Sequence, residues 1–403
     1  MKRIICLLIA VLLTALTFTA CSGSGTNTDE PSEAPTDSSV SATTEDGLHP
    51  LYIRVEKDVD TVTAAFCPNT GDDPVEIDMQ SLTDEDDTAV YVCYADPELY
   101  YAVYVTVDGR ESDRLSFNSF TSGWELSPGR ELPFTYGIAS EKPQYERVEF
   151  PYQERTKGVL IWTPDGYDKN SEDKYSVIYM TDGHNLFDPN ATSTGSWAVA
   201  ESIEAMMAQS SQKAIVVGIE NMDGWRDDEL TPNLGEPTNE DYQDGHGDYF
   251  CDFVVNTVMP YIEENYNVYT DRVHTAVCGS SSGGIESFYI AMEHPDKFGT
   301  VGALSPAFGL YDDDTWVEYL KEKNFSGNFP VVYLYCGKGD DLEKWLFPGT
   351  MNMQKNLEKA GYPEELIYFL SYDKAVHNEL YWRIVFPDFL LYMFGEYQSS
   401  IRL

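Results

Sequence analysis

The sequence of residues 273–292 is VHTAVCGSSSGGIESFYIAM, and it decides the fold of the C-terminal part of the chain. Residues 273–278 predict a buried strand, and residues 285–292 predict a helix. Between them, residues 279–283 fit the pattern G-x-S-x-G with Ser281 as the central serine. A Gly/Ser-rich loop also matches the bare pattern. The strand, tight turn and helix in this order instead indicate a nucleophile elbow, which exposes a serine hydroxyl at a sharp bend.

The sequence on both sides of this stretch alternates in the same way from about residue 145 onward. Apolar runs between helix-length segments indicate an α/β fold, with a mostly parallel sheet covered by helices. In such sheets the active site lies beyond the carboxyl ends of the strands. The predicted strands are 158–163, 176–181, 214–219, 273–278, 300–304, 331–335 and 366–370. The predicted helices are 197–209, 246–265, 283–294, 312–323, 350–360 and 378–396.

The histidines can be sorted by their order along the chain. A serine needs a base to become nucleophilic at neutral pH, and α/β-hydrolases have the chain order serine, acid, histidine. Four histidines precede Ser281 and fail this order: His49, His184, His246 and His274. His294 follows Ser281 closely and stands beside Pro295, where it suits a helix cap. His377, after a predicted strand and before a final helix, is therefore the predicted base.

The acid is expected after a strand that lies between Ser281 and His377. Residues 331–335 predict such a strand, and Asp340 and Asp341 follow it after a glycine-containing turn. A carboxylate at this position can orient the histidine and stabilise its cation. Asp340 is the preferred candidate, and Asp341 is the alternative.

Two further groups of residues are candidates for the same site. Residues 181–187, TDGHNLF, follow a predicted strand, and a turn there can present a backbone amide to Ser281. The amides of His184 and Ser282 are therefore the predicted oxyanion hole. Five residues on loops or helix starts are candidates for the substrate pocket, with packing or a surface role as the alternative for each: Trp197, Asn221, Trp225, Arg226 and Tyr249.

The N-terminus predicts export. Lys2 and Arg3 precede the apolar residues 4–16, as in a signal peptide, here residues 1–20. Residues 18–21, FTAC, resemble the lipobox of bacterial lipoproteins, in which the cysteine, here Cys21, is lipidated; an ordinary secretory signal is the alternative. Residues 21–48 are rich in small, polar and acidic residues and predict a flexible acidic tether. We therefore expect an exported protein that is lipid-anchored to the bacterial cell envelope and faces outside the cytoplasm.

Residues 49–140 predict a small β-sandwich, because short alternating β-branched runs are separated by turn residues. Cys67 and Cys93 in this region can pair, but the sequence does not establish a disulfide. Six aromatic residues can either form a sugar-binding face or pack within the sandwich, and packing is the preferred interpretation: Tyr91, Tyr94, Tyr100, Tyr101, Tyr104 and Trp124.

The composition limits the partners of the protein. Its 403 residues include 68 acidic and 26 basic side chains, which give a net charge of −42. Such a charge repels phosphate backbones and excludes nucleic acid as a partner. Cysteine and histidine spacings that indicate zinc do not occur in the sequence, and we expect neither a metal nor a cofactor.

Residues 145–397 resemble the "Putative esterase" family of α/β-hydrolases, which includes esterase D, enterochelin-esterase-like proteins and the feruloyl and acetyl-xylan esterases. The resemblance implies that Ser281 is the nucleophile, His377 the base and Asp340 the acid. The chain departs from the family at His184, where glutamine is common, and at Ser282, where a bulkier residue is common. The matching stretches are 164–167, 179–187, 218–221, 278–284, 304–307 and 377–379.

This resemblance and the export signal together predict a function. We expect a serine esterase that acts, without a cofactor, on feruloyl or acetyl esters of plant polysaccharide outside the cytoplasm. Three alternatives stay open: a hydrolase of siderophores or other small acyl esters, a non-catalytic glycan-binding or scaffolding lipoprotein, and an acyltransferase.

Overall fold

The computed structural model describes residues 47–85, 87–128, 130–137, 143–222, 224–238 and 245–394. The predicted signal peptide, Cys21 and nearly all of the predicted tether lie outside these residues. Within them, no helix has both the length and the apolar character needed to cross a membrane.

The N-terminal region forms two facing sheets, as predicted. One sheet has the order β10-β9-β1-β5-β4, and the other has β3-β2-β6-β7, with β8 also paired to β6. Inward side chains of both sheets, among them Ile53, Phe66 and Val103, share one apolar cluster, which makes the pair a sandwich. The strands are β1 His49–Glu56, β2 Val62–Pro68, β3 Val75–Ile77, β4 Gln80–Glu85, β5 Thr88–Ala95, β6 Tyr100–Val107, β7 Arg110–Glu111, β8 Leu115–Ser116, β9 Gly123–Ser127 and β10 Arg130–Phe134.

The C-terminal region forms an eight-stranded sheet with the order β11-β12-β14-β13-β15-β16-β17-β18. The pairs β11–β12 and β12–β14 are antiparallel, and all pairs from β14 to β18 in this order are parallel. The strands are β11 Tyr145–Tyr152, β12 Arg155–Trp162, β13 Ser176–Met180, β14 Ala214–Ile219, β15 Thr275–Ser280, β16 Thr300–Leu304, β17 Val331–Gly337 and β18 Ile367–Tyr372.

Helices cover both faces of this sheet, because the central strands are apolar on both sides. The helices are α1 Val199–Gln209, α2 Arg226–Glu229, α3 Gly247–Phe253, α4 Met259–Asn265, α5 Ser282–Glu293, α6 Asp313–Glu322, α7 Asp341–Lys359 and α8 Glu379–Phe394. A π-helical turn, Val254–Val258, joins α3 to α4. These elements confirm the predicted α/β fold.

Besides the four-residue helix α2, which was not predicted, two elements differ from the sequence prediction. Strand β11 was not predicted; its burial pattern is mostly exposed, so it lacks the apolar run that marks the other strands. Helix α7 begins nine residues before the predicted start at residue 350. Pro348 and Gly349 favour a break at that point, yet the helix continues through Pro348. The second difference matters for the site, because the first turn of α7 carries a buried carboxylate.

The sandwich packs against α8 of the C-terminal region. Asp388 of α8 is partly buried and accepts hydrogen bonds from Ser116 Oγ (2.6 Å) and Asn118 Nδ2 (3.1 Å). Tyr381 donates its hydroxyl to Asp113 (3.0 Å). Burial raises the pKa of Asp388 to about 6, against the lowering effect of the two hydrogen bonds. The helix that follows His377 is therefore held from both regions.

The aromatic residues of the sandwich do not form one face. Trp124 is fully buried and donates Nε1–H to the carbonyl of Ser116 (3.1 Å). Tyr91 and Tyr94 lie three positions apart on β5, so their side chains point to opposite faces. The packing interpretation therefore fits. Cys67 and Cys93 are buried free thiols rather than a disulfide in the structure.

Candidate active site

Ser281 lies at the sharp bend between β15 and α5. Its backbone has φ 58° and ψ −126°, a strained conformation for a residue with a side chain. The Ser281 amide donates to Leu304 O (3.0 Å), and Ser281 O accepts from the amide of Ala307 (3.2 Å). A Cβ on Gly279 would lie 2.5 Å from Gly283 O, so the turn closes only with glycine there. These contacts form the sharp strand–turn–helix bend that the sequence predicts around Ser281.

The turn after β13 packs directly against this elbow. The amide of Thr181 donates to Cys278 O (3.2 Å), and added Cβ atoms on Gly279 or Gly283 would collide with Thr181 Oγ1. Gly183 lies equally close to β14, since a Cβ on it would be 2.5 Å from Gly218 O. The turn is thus held between two strands, beside the N-terminus of α5.

Asp182 anchors the same turn by an ion pair. Arg226 donates Nε–H to Asp182 Oδ1 (2.7 Å) and an Nη2–H to Oδ2 (2.8 Å), and Asn221 Nδ2 donates to Oδ1 (2.6 Å). Burial favours the neutral acid, but the charge and hydrogen bonds of Arg226 outweigh it and lower the pKa of Asp182. Asn221 and Arg226 therefore hold the turn through Asp182, a role that the pocket prediction did not include.

The two predicted oxyanion-hole residues border this junction. Ser282 is the first residue of α5, so its amide has no acceptor within the helix. Its hydroxyl donates to Asp227 (2.8 Å) and is turned away from solvent. His184 lies in the turn after Asp182 with an exposed side chain. The helix N-terminus adds a partial positive charge where an oxyanion would form.

His377 contacts a buried carboxylate through its ring. His377 Nδ1 lies 2.9 Å from Glu343 Oε1, and the Glu343 side chain is 1% exposed. The other carboxylate oxygen, Oε2, accepts from the amide of Gly337 (2.7 Å) and from Cys336 Sγ (3.0 Å). An ionised carboxylate only accepts hydrogen bonds, so this contact suits the ring tautomer that carries its proton on Nδ1 and leaves Nε2 as an acceptor.

The structure differs here from the prediction that Asp340 or Asp341 contacts the ring. Asp340 caps α7 by accepting from the amide of Glu343 (2.7 Å), and it accepts from the amide of His377 (2.9 Å). Burial would raise the pKa of Asp340, but these amide hydrogen bonds outweigh it and lower the pKa. Asp341 is exposed and pairs only weakly with Lys344 (3.4 Å). Asp340 therefore positions the backbone of the histidine, whereas Glu343 contacts the imidazole.

Trp382 joins the histidine to the elbow. Its ring meets the His377 ring edge-on, with centroids 5.0 Å apart. Its Nε1–H donates to Ser305 Oγ (3.2 Å), and Ser305 directly follows Leu304, the residue that accepts from the Ser281 amide. A short chain of contacts thus connects the loop of His377 with the turn of Ser281.

The five pocket candidates separate into two groups. Trp197 is 2% exposed and packs on Trp382, with ring centroids 5.4 Å apart, so it lies behind the histidine rather than in an open pocket. Asn221 and Arg226 are bound to Asp182, as described above. Trp225 and Tyr249 are 49% and 46% exposed.

Trp225 and Tyr249 line a cleft of about 280 Å³ together with Met222, Asp228 and His246. The guanidinium of Arg155 lies 4.5 Å from the centroid of the Trp225 ring. The described lining of this cleft does not include Ser281 or His377. The cleft nevertheless borders the site, since Arg226 follows Trp225 and its Nη2 lies 3.5 Å from Ser280 O.

The sequence analysis missed Glu343, although a local signal was present. Asp340 and Glu343 have the spacing of a capping box, with an N-cap residue and a glutamate three residues later. That spacing predicts a helix from residue 341 and places Glu343 on its first turn. The side chain then departs from the usual capping box, because it turns to Gly337 and His377 instead of the N-cap amide.

The strand order, the elbow after β15 and the histidine loop after β18 define an α/β-hydrolase. Comparison with known proteins agrees with this class. The sequence model of the family described as "Putative esterase" matches residues 152–393. The chain belongs to this family and is a carboxylic ester hydrolase.

Three similar proteins illustrate the family relationship. YbbA of Bacillus subtilis is 24% identical over 248 residues, which cover 60% of this chain and 94% of YbbA. An endo-1,4-beta-xylanase/feruloyl esterase of Xylanibacter ruminicola is 23% identical over 72% of this chain and 37% of that protein. The solved structure of the siderophore hydrolase EstB from Aspergillus nidulans shares the fold, with TM-score 0.50, 18% identity and coverage of 64% of this chain and 96% of EstB.

Proposed function

We propose that the protein hydrolyses esters through a triad of Ser281, His377 and Glu343. The observation that carries this proposal is the contact between His377 Nδ1 and the buried Glu343 carboxylate, at the strand end where this fold holds its base. The chain order of the three residues is serine, acid, histidine, as in other α/β-hydrolases.

The arrangement supports a two-step reaction. Ser281 Oγ attacks the ester carbonyl carbon while His377 Nε2 takes the hydroxyl proton, and the amides of Ser282 and His184 stabilise the oxyanion. The C–O bond then breaks, and His377 gives the proton to the departing alcohol. Water attacks the acyl-enzyme, with His377 again as the base, and releases the acid and the free serine. Throughout, Glu343 keeps the Nδ1–H tautomer and stabilises the imidazolium.

For the substrate, we favour feruloyl or acetyl esters of plant polysaccharide. The similar Xylanibacter protein is named a xylanase and feruloyl esterase. The cleft beside Trp225 and Tyr249 offers exposed aromatic faces with polar groups at its edge. Such a surface suits a sugar ring, which has apolar C–H faces and a rim of hydroxyls. A net charge of −42 disfavours the anionic ferric siderophores of the alternative.

The location belongs to the same proposal. Cleavage of a signal peptide before Cys21 and lipidation of that cysteine would anchor the protein to the cell envelope. The acidic residues 22–48 would then separate the hydrolase from the membrane surface. Radiolabelled palmitate incorporation that disappears in Cys21→Ala tests the anchor, and incorporation that persists in the variant contradicts it.

The activity is tested with the full chain and the variant Ser281→Ala. Hydrolysis of p-nitrophenyl acetate and methyl ferulate is followed side by side, with the buffer rate subtracted. We expect turnover that falls at least 100-fold in the variant, since removal of a triad member costs this much or more. Equal rates for both proteins contradict the triad. Turnover of the acetate alone contradicts the feruloyl substrate and leaves acetylated polysaccharide or a small acyl ester.

A further inference from the structure

The segment after the predicted oxyanion turn is bound by one carboxylate at the start of α8. Glu379 Oε1 accepts from Asn185 Nδ2 (3.2 Å). Glu379 Oε2 accepts from Thr192 Oγ1 (3.0 Å) and from Thr194 Oγ1 (2.6 Å). Three side chains of one segment thus converge on a single carboxylate, and hydrogen bonds to a charged acceptor are the stronger kind.

A second residue of α8, one helical turn later, also binds this segment. Arg383 is 2% exposed, and it donates Nη1–H to Ser196 O (2.9 Å) and Nη2–H to Thr194 O (3.3 Å). Residues four apart share a helix face, so Glu379 and Arg383 form one clamp. Within residues 183–196 the regular structure is a 3-10 turn at Gly183–Asn185 and the bridge between Thr192 and Gly195.

The two ends of this clamp belong to different parts of the proposed site. Glu379 is two residues after His377 and opens α8. Asn185 is the residue after His184, whose amide is the predicted oxyanion donor. A displacement of about 1 Å in such a donor can lower a rate 100-fold. The clamp therefore has the right placement to fix the distance between the oxyanion turn and the base.

We propose that Glu379 is a positioning residue, which holds residues 183–196 in register with the His377 loop through Asn185, Thr192 and Thr194. This inference rests on the proposed function. It adds a residue outside the triad on which the oxyanion geometry depends.

The main variants are Glu379→Ala, which removes all three hydrogen bonds, and Glu379→Gln, which keeps one carbonyl acceptor. A double variant, Thr192→Val with Thr194→Val, serves if Glu379→Ala folds poorly. It removes two of the hydroxyl groups that donate to Glu379 and leaves the sequence of α8 unchanged. The matched control is Glu293→Ala. Glu293 is also a partly buried carboxylate with side-chain partners, Tyr319 (2.9 Å) and Lys323, but it lies at the end of α5.

Two measurements are made on each full-length protein: kcat and KM for p-nitrophenyl acetate, and hydrogen–deuterium exchange of amides 183–196. We expect Glu379→Ala to lower kcat roughly 10- to 100-fold with KM within about twofold, because only transition-state stabilisation is lost. We expect faster exchange in residues 183–196, a smaller kcat loss in Glu379→Gln, and an unchanged kcat in Glu293→Ala. The double valine variant should behave as Glu379→Ala does.

The outcomes separate this inference from the proposed function. Unchanged exchange in residues 183–196, or a kcat for folded Glu379→Ala within twofold of the parent, overturns the positioning role. A parent protein without Ser281-dependent turnover overturns the proposed function instead. In that case the exchange measurement still decides whether Glu379 holds the segment.

Discussion

The turn around Ser281 and the loop around His377 reach the same edge of the sheet by different physical means. The elbow is built from neighbouring residues, and its shape follows from glycines and one strained backbone conformation. The histidine is held by side chains from separate elements, with Glu343 from α7 and Trp382 from α8. A motif defined by the backbone can therefore be recognised in a short stretch of sequence, whereas a contact between side chains far apart in the chain cannot.

The largest effect is expected from a change that breaks the elbow itself. Gly279→Ala places a Cβ against Thr181 Oγ1 and within 2.5 Å of Gly283 O, and neither neighbour can move without shifting the turn. We expect a loss of about 2–4 kcal/mol in the free energy of unfolding and at least a 100-fold loss of turnover. Urea unfolding and p-nitrophenyl acetate kinetics measure the two effects.

The control for this change is Gly309→Ala. A Cβ there meets nothing within 4 Å, so unfolding and turnover should match the parent. An active, stable Gly279→Ala variant would show that the elbow tolerates a side chain and that backbone closeness does not define it.

A smaller effect is expected on the side-chain half of the site. Trp382→Phe keeps a ring beside His377 but removes the hydrogen bond from Nε1–H to Ser305. We expect roughly 3- to 10-fold lower kcat and a loss of about 1 kcal/mol in unfolding free energy. Trp316→Phe is the matched control, because Trp316 is also buried and donates Nε1–H to Phe308 O (2.9 Å). The control should lose similar stability and keep kcat, and an equal loss of kcat in both variants would reject a role for Trp382 in holding the histidine.

The smallest effect on activity is expected at Asp388, in the second half of α8. The pKa of Asp388 in the folded protein, about 6, lies above its ordinary value near 3.8 because burial disfavours the charge. The folded state therefore binds the proton more tightly, and this contribution is complete below pH 4 and is lost as the pH rises through 6. In Asp388→Asn, the amide oxygen still accepts from Ser116 and Asn118, without the charge.

We expect the stability of Asp388→Asn relative to the parent to rise by about 2 kcal/mol from pH 4.5 to pH 7.5, with kcat unchanged. Urea unfolding at the two pH values measures the gain. Asp341→Asn, at an exposed position, is the control and should show no such gain. A gain for Asp388→Asn that is equal at both pH values contradicts a raised pKa.

These contrasts explain how much the sequence could predict. The strands that are buried on both sides, the elbow and the position of His377 follow from local composition and chain order. Glu343 was missed because the first half of α7 was not predicted as helix, since Pro348 and Gly349 favour a helix break. The Asp340–Glu343 spacing predicts that helix, but the direction of the Glu343 side chain is set by Gly337 and His377, which pack there only in the folded chain.

The prediction of the pocket residues was limited for the same reason, because the direction of a side chain depends on partners that meet only in the folded chain. Their placement after strands was predictable, and all five lie around the site. Whether each side chain faces the substrate or packs within the protein depends on its partner. Asp182 accepts hydrogen bonds from Asn221 and Arg226, and Trp197 packs on Trp382. Trp225 and Tyr249 stay exposed and line the neighbouring cleft.

In the triad that we propose, Glu343 rather than Asp340 is the acid. The most direct test of this assignment compares kcat of Glu343→Gln and Asp340→Asn on p-nitrophenyl acetate at pH 7.5, after thermal unfolding has shown that both are folded. We expect kcat to fall about 10³- to 10⁴-fold in Glu343→Gln, because the ring loses its carboxylate partner, and less than about 10-fold in Asp340→Asn. A larger loss of kcat in Asp340→Asn than in Glu343→Gln would show that Asp340 is the acid instead.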